Sequence, residues 1–264
     1  MKNNHEIDYR IFGEEMQYVE VELDYNETAV AEPGAFMMME DGIVMETMFG
    51  DGSQQNTSIL GKLLNAGKRV LTGESLFMTA FTNINQGKRR VSFASPYPGK
   101  IIPVDLSRFN NRIICQKDTF LCAAKGVNIG IEFQRKLGTG LFGGEGFIMQ
   151  KLEGDGMAFM HAGGHVFEKQ LNPGEVLKID TGCIVGFTSS VAYDIQFVGG
   201  IKNTIFGGEG LFFALLTGPG TVWIQSLPVS RLAGRILQYA TVHRKEEGSI
   251  LGGLGNLLDG DGKW

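Results

Sequence analysis

The sequence predicts an all-β protein made of three diverged copies of one β-rich unit, set in a pseudo-threefold arrangement. Three observations predict it. Hydrophobic and polar side chains alternate with a period of two, glycines punctuate the apolar runs, and separated blocks recur at a fixed offset.

The repeat is clearest towards the carboxyl end. Phe142-Gly143-Gly144-Glu145-Gly146-Phe147 answers Phe206-Gly207-Gly208-Glu209-Gly210-Leu211 at an offset of 64 residues. The same offset carries Val127–Phe133 onto Val191–Phe197, and Gly154-Asp155-Gly156 onto Gly218-Pro219-Gly220. A third copy is weaker: Gly73-Glu74-Ser75-Leu76-Phe77 matches at an offset of 71, with extra length at about 49–70. The predicted units are therefore 1–105 with that insertion, 106–170 and 171–240, followed by a Gly-rich tail over 241–264. A unit of about 65 residues buries only a marginal core, and its outer strands leave unpaired edges. Three linked units can bury those edges against one another.

Each unit reads as short strands. Val19, Val21 and Leu23 alternate with Glu20, Glu22 and Asp24, as a strand with one wet face requires. Tyr193, Ile195 and Phe197 alternate with Asp194, Gln196 and Val198 in the same way. Asn-Pro-Gly, Gly-Asp-Gly and Gly-Pro-Gly turns separate such runs, so a compact sandwich or a closed barrel is expected. Helical periodicity is confined to about 59–66, 230–234 and 249–258.

Composition limits the function. The 264 residues carry a formal charge of -5, and 38 are Gly against 7 Pro. Mean hydropathy is -0.01, and no run of 18 apolar residues occurs. Residues 1–60 hold 13 acidic and 2 basic side chains, whereas the rest holds 16 and 22. That asymmetry suggests internal complementarity or an oligomer contact. The basic runs Lys88-Arg89-Arg90 and Arg244-Lys245 are too small for a nucleic-acid stripe and read as solvated turns. No nucleic acid is an expected partner. Cys115, Cys122 and Cys183 sit in apolar runs and read as small buried hydrophobes, not a disulfide framework. The amino terminus shows no apolar leader, so a reducing cytoplasmic location is expected, with peripheral membrane association as the variant.

Few residues invite chemistry. Glu74, Glu145 and Glu209 occupy equivalent places, and a threefold axis would gather them as hard oxygen ligands. In a tight Gly turn, however, a Glu accepts backbone N–H bonds, and that role is expected here rather than a metal. His161 and His165 are four apart, but Gly163-Gly164 between them breaks the helix that would align them. The corresponding positions of the other copies read Ser95 and Gln225. These five residues are the candidate binding residues. There is no Gly-x-Ser-x-Gly elbow, zinc pattern or Walker sequence. Gly138-Thr139-Gly140-Leu141-Phe142-Gly143 lacks the strand–turn–helix context of a dinucleotide loop. No catalytic residue and no cofactor is expected.

Three longer strings carry a family likeness: Lys68–Phe77, Phe142–Gly146 and Thr217–Pro228. Through them the chain, over about residues 15–240, resembles a bacterial and archaeal family. That family is related to the yeast mitochondrial inner-membrane biogenesis protein of the altered-inheritance-of-mitochondria series. The resemblance implies three tandem β-sandwich-like repeats, of the double-stranded β-helix type seen in the tryptophan RNA-binding attenuation protein, and a homo-oligomer. It implies no catalytic residue. The attenuator's RNA role would need basic positions shared by the three units, and these are missing. The expected function is a non-enzymatic scaffold or binding protein that assembles with itself, with a protein or membrane-associated partner. The alternatives are a small-molecule or anion-binding module and, third, an enzyme of unknown chemistry.

Overall fold

The computed structural model describes residues 4–49, 77–135, 147–198, 211–237 and 239. These hold nineteen β-strands. The first seven are β1 (Asp8–Phe12), β2 (Tyr18–Leu23), β3 (Thr28–Ala31), β4 (Phe36–Met39), β5 (Ile43–Phe49), β6 (Phe77–Asn83) and β7 (Arg89–Ala94). Next come β8 (Gly99–Asp105), β9 (Arg112–Gln116), β10 (Phe120–Ala124), β11 (Asn128–Arg135), β12 (Phe147–Glu153) and β13 (Met157–Gly163). The last six are β14 (Val166–Leu171), β15 (Val176–Asp180), β16 (Ile184–Thr188), β17 (Ala192–Val198), β18 (Leu211–Thr217) and β19 (Gly220–Gln225). A helical segment over 229–237 follows Pro228, beginning one residue before and ending three residues after the predicted 230–234. The other two predicted helices, 59–66 and 249–258, lie outside the described residues.

The strands form four antiparallel sheets. Their orders are β1-β2-β7-β4, β5-β6-β3-β10-β13-β8, β11-β12-β9-β16-β19-β14 and β15-β18-β17. Raising every label of the second sheet by six gives the third, so the two central sheets are repeat-like. In each, a short antiparallel junction joins two three-stranded halves: β3 with β10, and β9 with β16. Among the described residues all four sheets are open, with two edge strands each.

The sheets stack with apolar faces between them. One buried cluster joins Val19, Val21 and Phe93 of the first sheet to Ala29, Ala31 and Phe159 of the second. A second lies between the central sheets, with Val30, Met160 and Leu152. A third joins Phe147 and Phe187 to Ile195 and Leu216 of the last sheet. Successive residues of β3 thus feed different cores: Ala29 and Ala31 face one, Val30 the other. A strand buried on both faces loses the period-two signature and reads as a continuous apolar run. Phe120–Ala124 and Ile184–Thr188 do so, and every residue in both is buried. Outer strands keep it: Val19, Val21 and Leu23 are buried while Glu20 and Glu22 are not.

The basic run Lys88-Arg89-Arg90 is solvated, as expected, but it enters a strand instead of forming a turn. Arg89 opens β7, which lies between β2 and β4. Lys88 Nζ lies 2.7 Å from Glu22 and 3.1 Å from Asp8, and Arg90 lies 2.9 Å from Glu22 with Glu20 and Glu40 at 3.7 Å. Part of the acidic excess of residues 1–60 is therefore matched inside its own sheet.

Candidate functional site

Of the residues singled out from sequence, Glu74, Glu145, Glu209 and the Gly138–Gly143 loop lie outside the described residues. His161 and His165 are described, and the fold separates them. His161, on β13, is buried. His165 follows the Gly163-Gly164 turn, is exposed, and is held by its backbone N–H to Ser226 Oγ at 2.9 Å. Gly163 carries no side chain because the Leu227 carbonyl would stand 2.0 Å from a Cβ there, and Gly164 has a φ of +68°.

Around His161 several elements converge. His161 Nε2 donates to the Tyr97 carbonyl at 3.4 Å, and the Tyr97 ring stands edge-on to the imidazole with centroids 4.2 Å apart. Ser95 Oγ also donates to that carbonyl, at 2.8 Å. With Nε2 carrying the proton, Nδ1 is an acceptor, buried and without a hydrogen-bond partner among the described residues. Burial lowers the imidazole pKa to about 4, so the ring is neutral at pH 7. Gln225 clamps the region: its Oε1 accepts from Gly163 N at 2.8 Å and its Nε2 donates to Gly182 O at 2.9 Å.

Glu32, Asp118 and Tyr97 complete the arrangement. Glu32 follows β3 directly, and its N–H donates to Leu121 O at 3.1 Å, extending the β3–β10 junction. Its half-buried carboxyl is raised to about 7, first by desolvation and then by the charge of Asp118. Asp118 sits in a single 3-10 turn over Lys117–Thr119, which Thr119 fastens by donating to Gln116 O at 2.7 Å and Val185 O at 3.2 Å. The same two carboxylates, after burial, push the Tyr97 phenol up. Burial holds the Cys115 thiol up at about 12, with Glu32 adding to it.

The chemistry this permits is narrow. Glu32 sits near half-protonation at neutral pH, and His161 offers a neutral acceptor. Burial raises all three thiols, Cys115, Cys122 and Cys183, so none is an activated nucleophile. No group of three metal-ligating side chains occurs among the described residues. No helix among them is long and apolar enough to cross a membrane.

Fold and site together define an all-β protein of stacked, repeat-like antiparallel sheets whose polar interior sits where the strand groups meet. The family described as Mitochondrial biogenesis AIM24 matches residues 9–227, and the chain belongs to it. An uncharacterized protein of Streptococcus pyogenes serotype M6 is 29% identical over 225 residues, covering 84% of this chain and 86% of its own length. A crystal structure of a Streptococcus pyogenes protein shares the fold with a TM-score of 0.67 at 22% identity. The match covers 88% of this chain and 99% of that one.

Proposed function

We propose that the protein is a non-enzymatic scaffold or binding protein that assembles with copies of itself and presents its sheets to a further protein or membrane-associated partner. The observation that carries this is the strand order of the central sheets. The chain grows by adding one three-stranded half-sheet to the edge of the next, twice, with the same strands. A chain built by edge addition is suited to continue by the same means between copies. On this reading the units expected at 1–105, 106–170 and 171–240 are tandem attenuator-like repeats in a pseudo-threefold arrangement, with 241–264 a tail. Its setting would be the cytoplasm or the periphery of a membrane. The test is the native mass of the full chain purified without a tag, followed by mass measurement after denaturation. A multi-copy assembly free of small molecules supports the proposal, and a single-copy protein refutes it.

A second reading rests on a different observation. His161 Nδ1 on the second sheet, and Gln116 Oε1 and Gln150 Oε1 on the third, are buried without partners among the described residues. Such acceptors cost about 1–3 kcal/mol each if nothing donates to them. A small neutral molecule with a hydroxyl or amide donor would satisfy His161 Nδ1, whereas Glu32 and Asp118, whose charges reach the Tyr97 ring packed on His161, disfavour an anion. Recovery of one molecule per chain in the denatured sample would support this reading over the first.

A further inference from the structure

The two central sheets each contain a junction that the outer sheets lack. In the second sheet β3 pairs with β10, and in the third β9 pairs with β16. The next member of the series β3, β9 is β15, and the member preceding β10 and β16 is β4. Both are present, and both are edge strands: β4 pairs only with β7, and β15 only with β18, among the described residues.

The correspondence holds residue by residue. A β-bulge interrupts β10 between Phe120 and Cys122, β16 between Ile184 and Gly186, and β4 between Phe36 and Met38. Met38 precedes Cys122 by 84 residues, and Cys122 precedes Gly186 by 64. Across the junctions Cys122 pairs with Ala31, and Gly186 with Cys115. Ala31 precedes Cys115 by 84, and 64 residues beyond Cys115 stands Ile179 of β15. Both partners advance by the same steps, so the missing junction has a defined register. Met38 faces Ile179, Met39 faces Lys178 and Glu40 faces Leu177.

The surface of β4 shows what that junction would cover. Phe36, Met37, Met38 and Met39 are 40%, 48%, 45% and 39% exposed, whereas their counterparts in β10 and β16 are buried. The other edge strands carry a charge or a proline, as Lys100 and Pro103 do in β8 and Glu168 and Lys169 in β14; in β15 the mid-strand charge is Lys178, whose aliphatic stem can lie along an apolar neighbour. Among the eight edges of the described sheets, β4 alone has neither. β4 is only four residues long, but the internal junctions it would match pair three residues each, so its exposed apolar edge is long enough to take another strand.

We infer that β4 of one copy pairs antiparallel with β15 of a second copy, in the register the chain uses twice internally, so that copies join head to tail. This rests on the self-assembly reading above and names its interface. Such a contact is heterologous, and a closed ring satisfies every β4 and every β15.

Met39→Cys and Lys178→Cys test it, because both positions are exposed and the register places them directly opposite. A hydrogen-bonded antiparallel pair holds its Cα atoms about 5.5 Å apart, within disulfide range. Chains carrying one substitution each are co-expressed and oxidised, with each single variant alone as the control, and a double variant is oxidised in parallel. The expected result is a disulfide-linked two-chain species in the mixture, absent from both controls. A link formed only within one chain of the double variant overturns the inference, since the chain then closes on itself. No link in a protein whose native mass remains multi-copy also overturns it but leaves self-assembly standing. No link in a single-copy protein removes both.

Discussion

Replacing Glu32 with Gln should change stability in a pH-dependent way whose sign follows from the fold. The carboxyl titrates near its ordinary 4.5 when unfolded and near 7 when folded, because burial and Asp118 favour its neutral form. Below pH 4.5 both states are protonated and the native chain bears no ionisation cost. As pH rises from 4.5 to about 7 the unfolded state ionises first, so stability falls. Above 7 the full cost is present, about 3 kcal/mol from the difference between the two values. Partial exposure of the side chain reduces this to about 2–3 kcal/mol. Gln keeps the shape and removes the charge, so the variant should be more stable than the wild type by that amount at pH 8 and indistinguishable from it at pH 4.

His161 adds an opposing slope. Its folded pKa is lowered from 6.5 to about 4, so the unfolded state takes up a proton first as pH falls, and stability drops across that window. Between about 4.5 and 6.5 the two effects partly cancel in the wild type, and the Glu32→Gln chain should reveal the His161 slope alone, with stability rising with pH. Urea unfolding followed by the fluorescence of buried Trp223 measures both. Equal stability differences at pH 4 and pH 8 would show that the carboxyl is neither buried enough nor close enough to Asp118 to matter.

Two further substitutions probe the first sheet and the strand connections near it. Asn83 is fully buried, donates to Leu23 O at 2.9 Å and Gly87 O at 2.8 Å, and accepts from Asn85 N at 2.9 Å. Asn83→Ala strands those backbone groups and should cost about 2–4 kcal/mol in denaturant unfolding, and a loss below 1 kcal/mol would show that water replaces the side chain. Lys88→Ala removes two exposed ion pairs and should lower the melting midpoint slightly at low salt and not at all at high salt. A salt-independent loss as large as that of Asn83→Ala would contradict the picture of a screened surface network.

Much of the fold is legible in the sequence where burial is one-sided. Val19, Val21 and Leu23 announce a strand because Glu20 and Glu22 face water. The offset of 64 is visible because the same turns and core positions recur, and the strand pairs confirm it from Cys115 to Ile179 and from Cys122 to Gly186. Sheet sharing is not legible. A period of two tells which face is wet but not which strand lies alongside, and in Phe120–Ala124 even the period vanishes because both faces are buried. The counterpart of His161 also shifts: Phe93 in the first strand group takes the place of Met160, so Ala94, not Ser95, is equivalent to His161.

The interior polar site was legible only at His161. Glu32 precedes Pro33-Gly34 and reads locally as an exposed turn acid. It is burial against strands distant in sequence, together with Asp118, that makes it protonatable at neutral pH. Tyr97 carries no local signal at all, since its neighbours are Ser95, Pro96 and Pro98. The signal that could have found both is the junction itself, where one strand group ends and the next begins. Lys88–Arg90 misled for the opposite reason: charges that look like a turn are paired across a sheet whose partners lie up to 80 residues away.

The native mass of the untagged full chain decides whether the proposed self-assembling, sheet-built scaffold exists. The expected result is a multi-copy assembly that releases nothing but this polypeptide when denatured. A single-copy protein, or one that releases a stoichiometric small molecule, would contradict it.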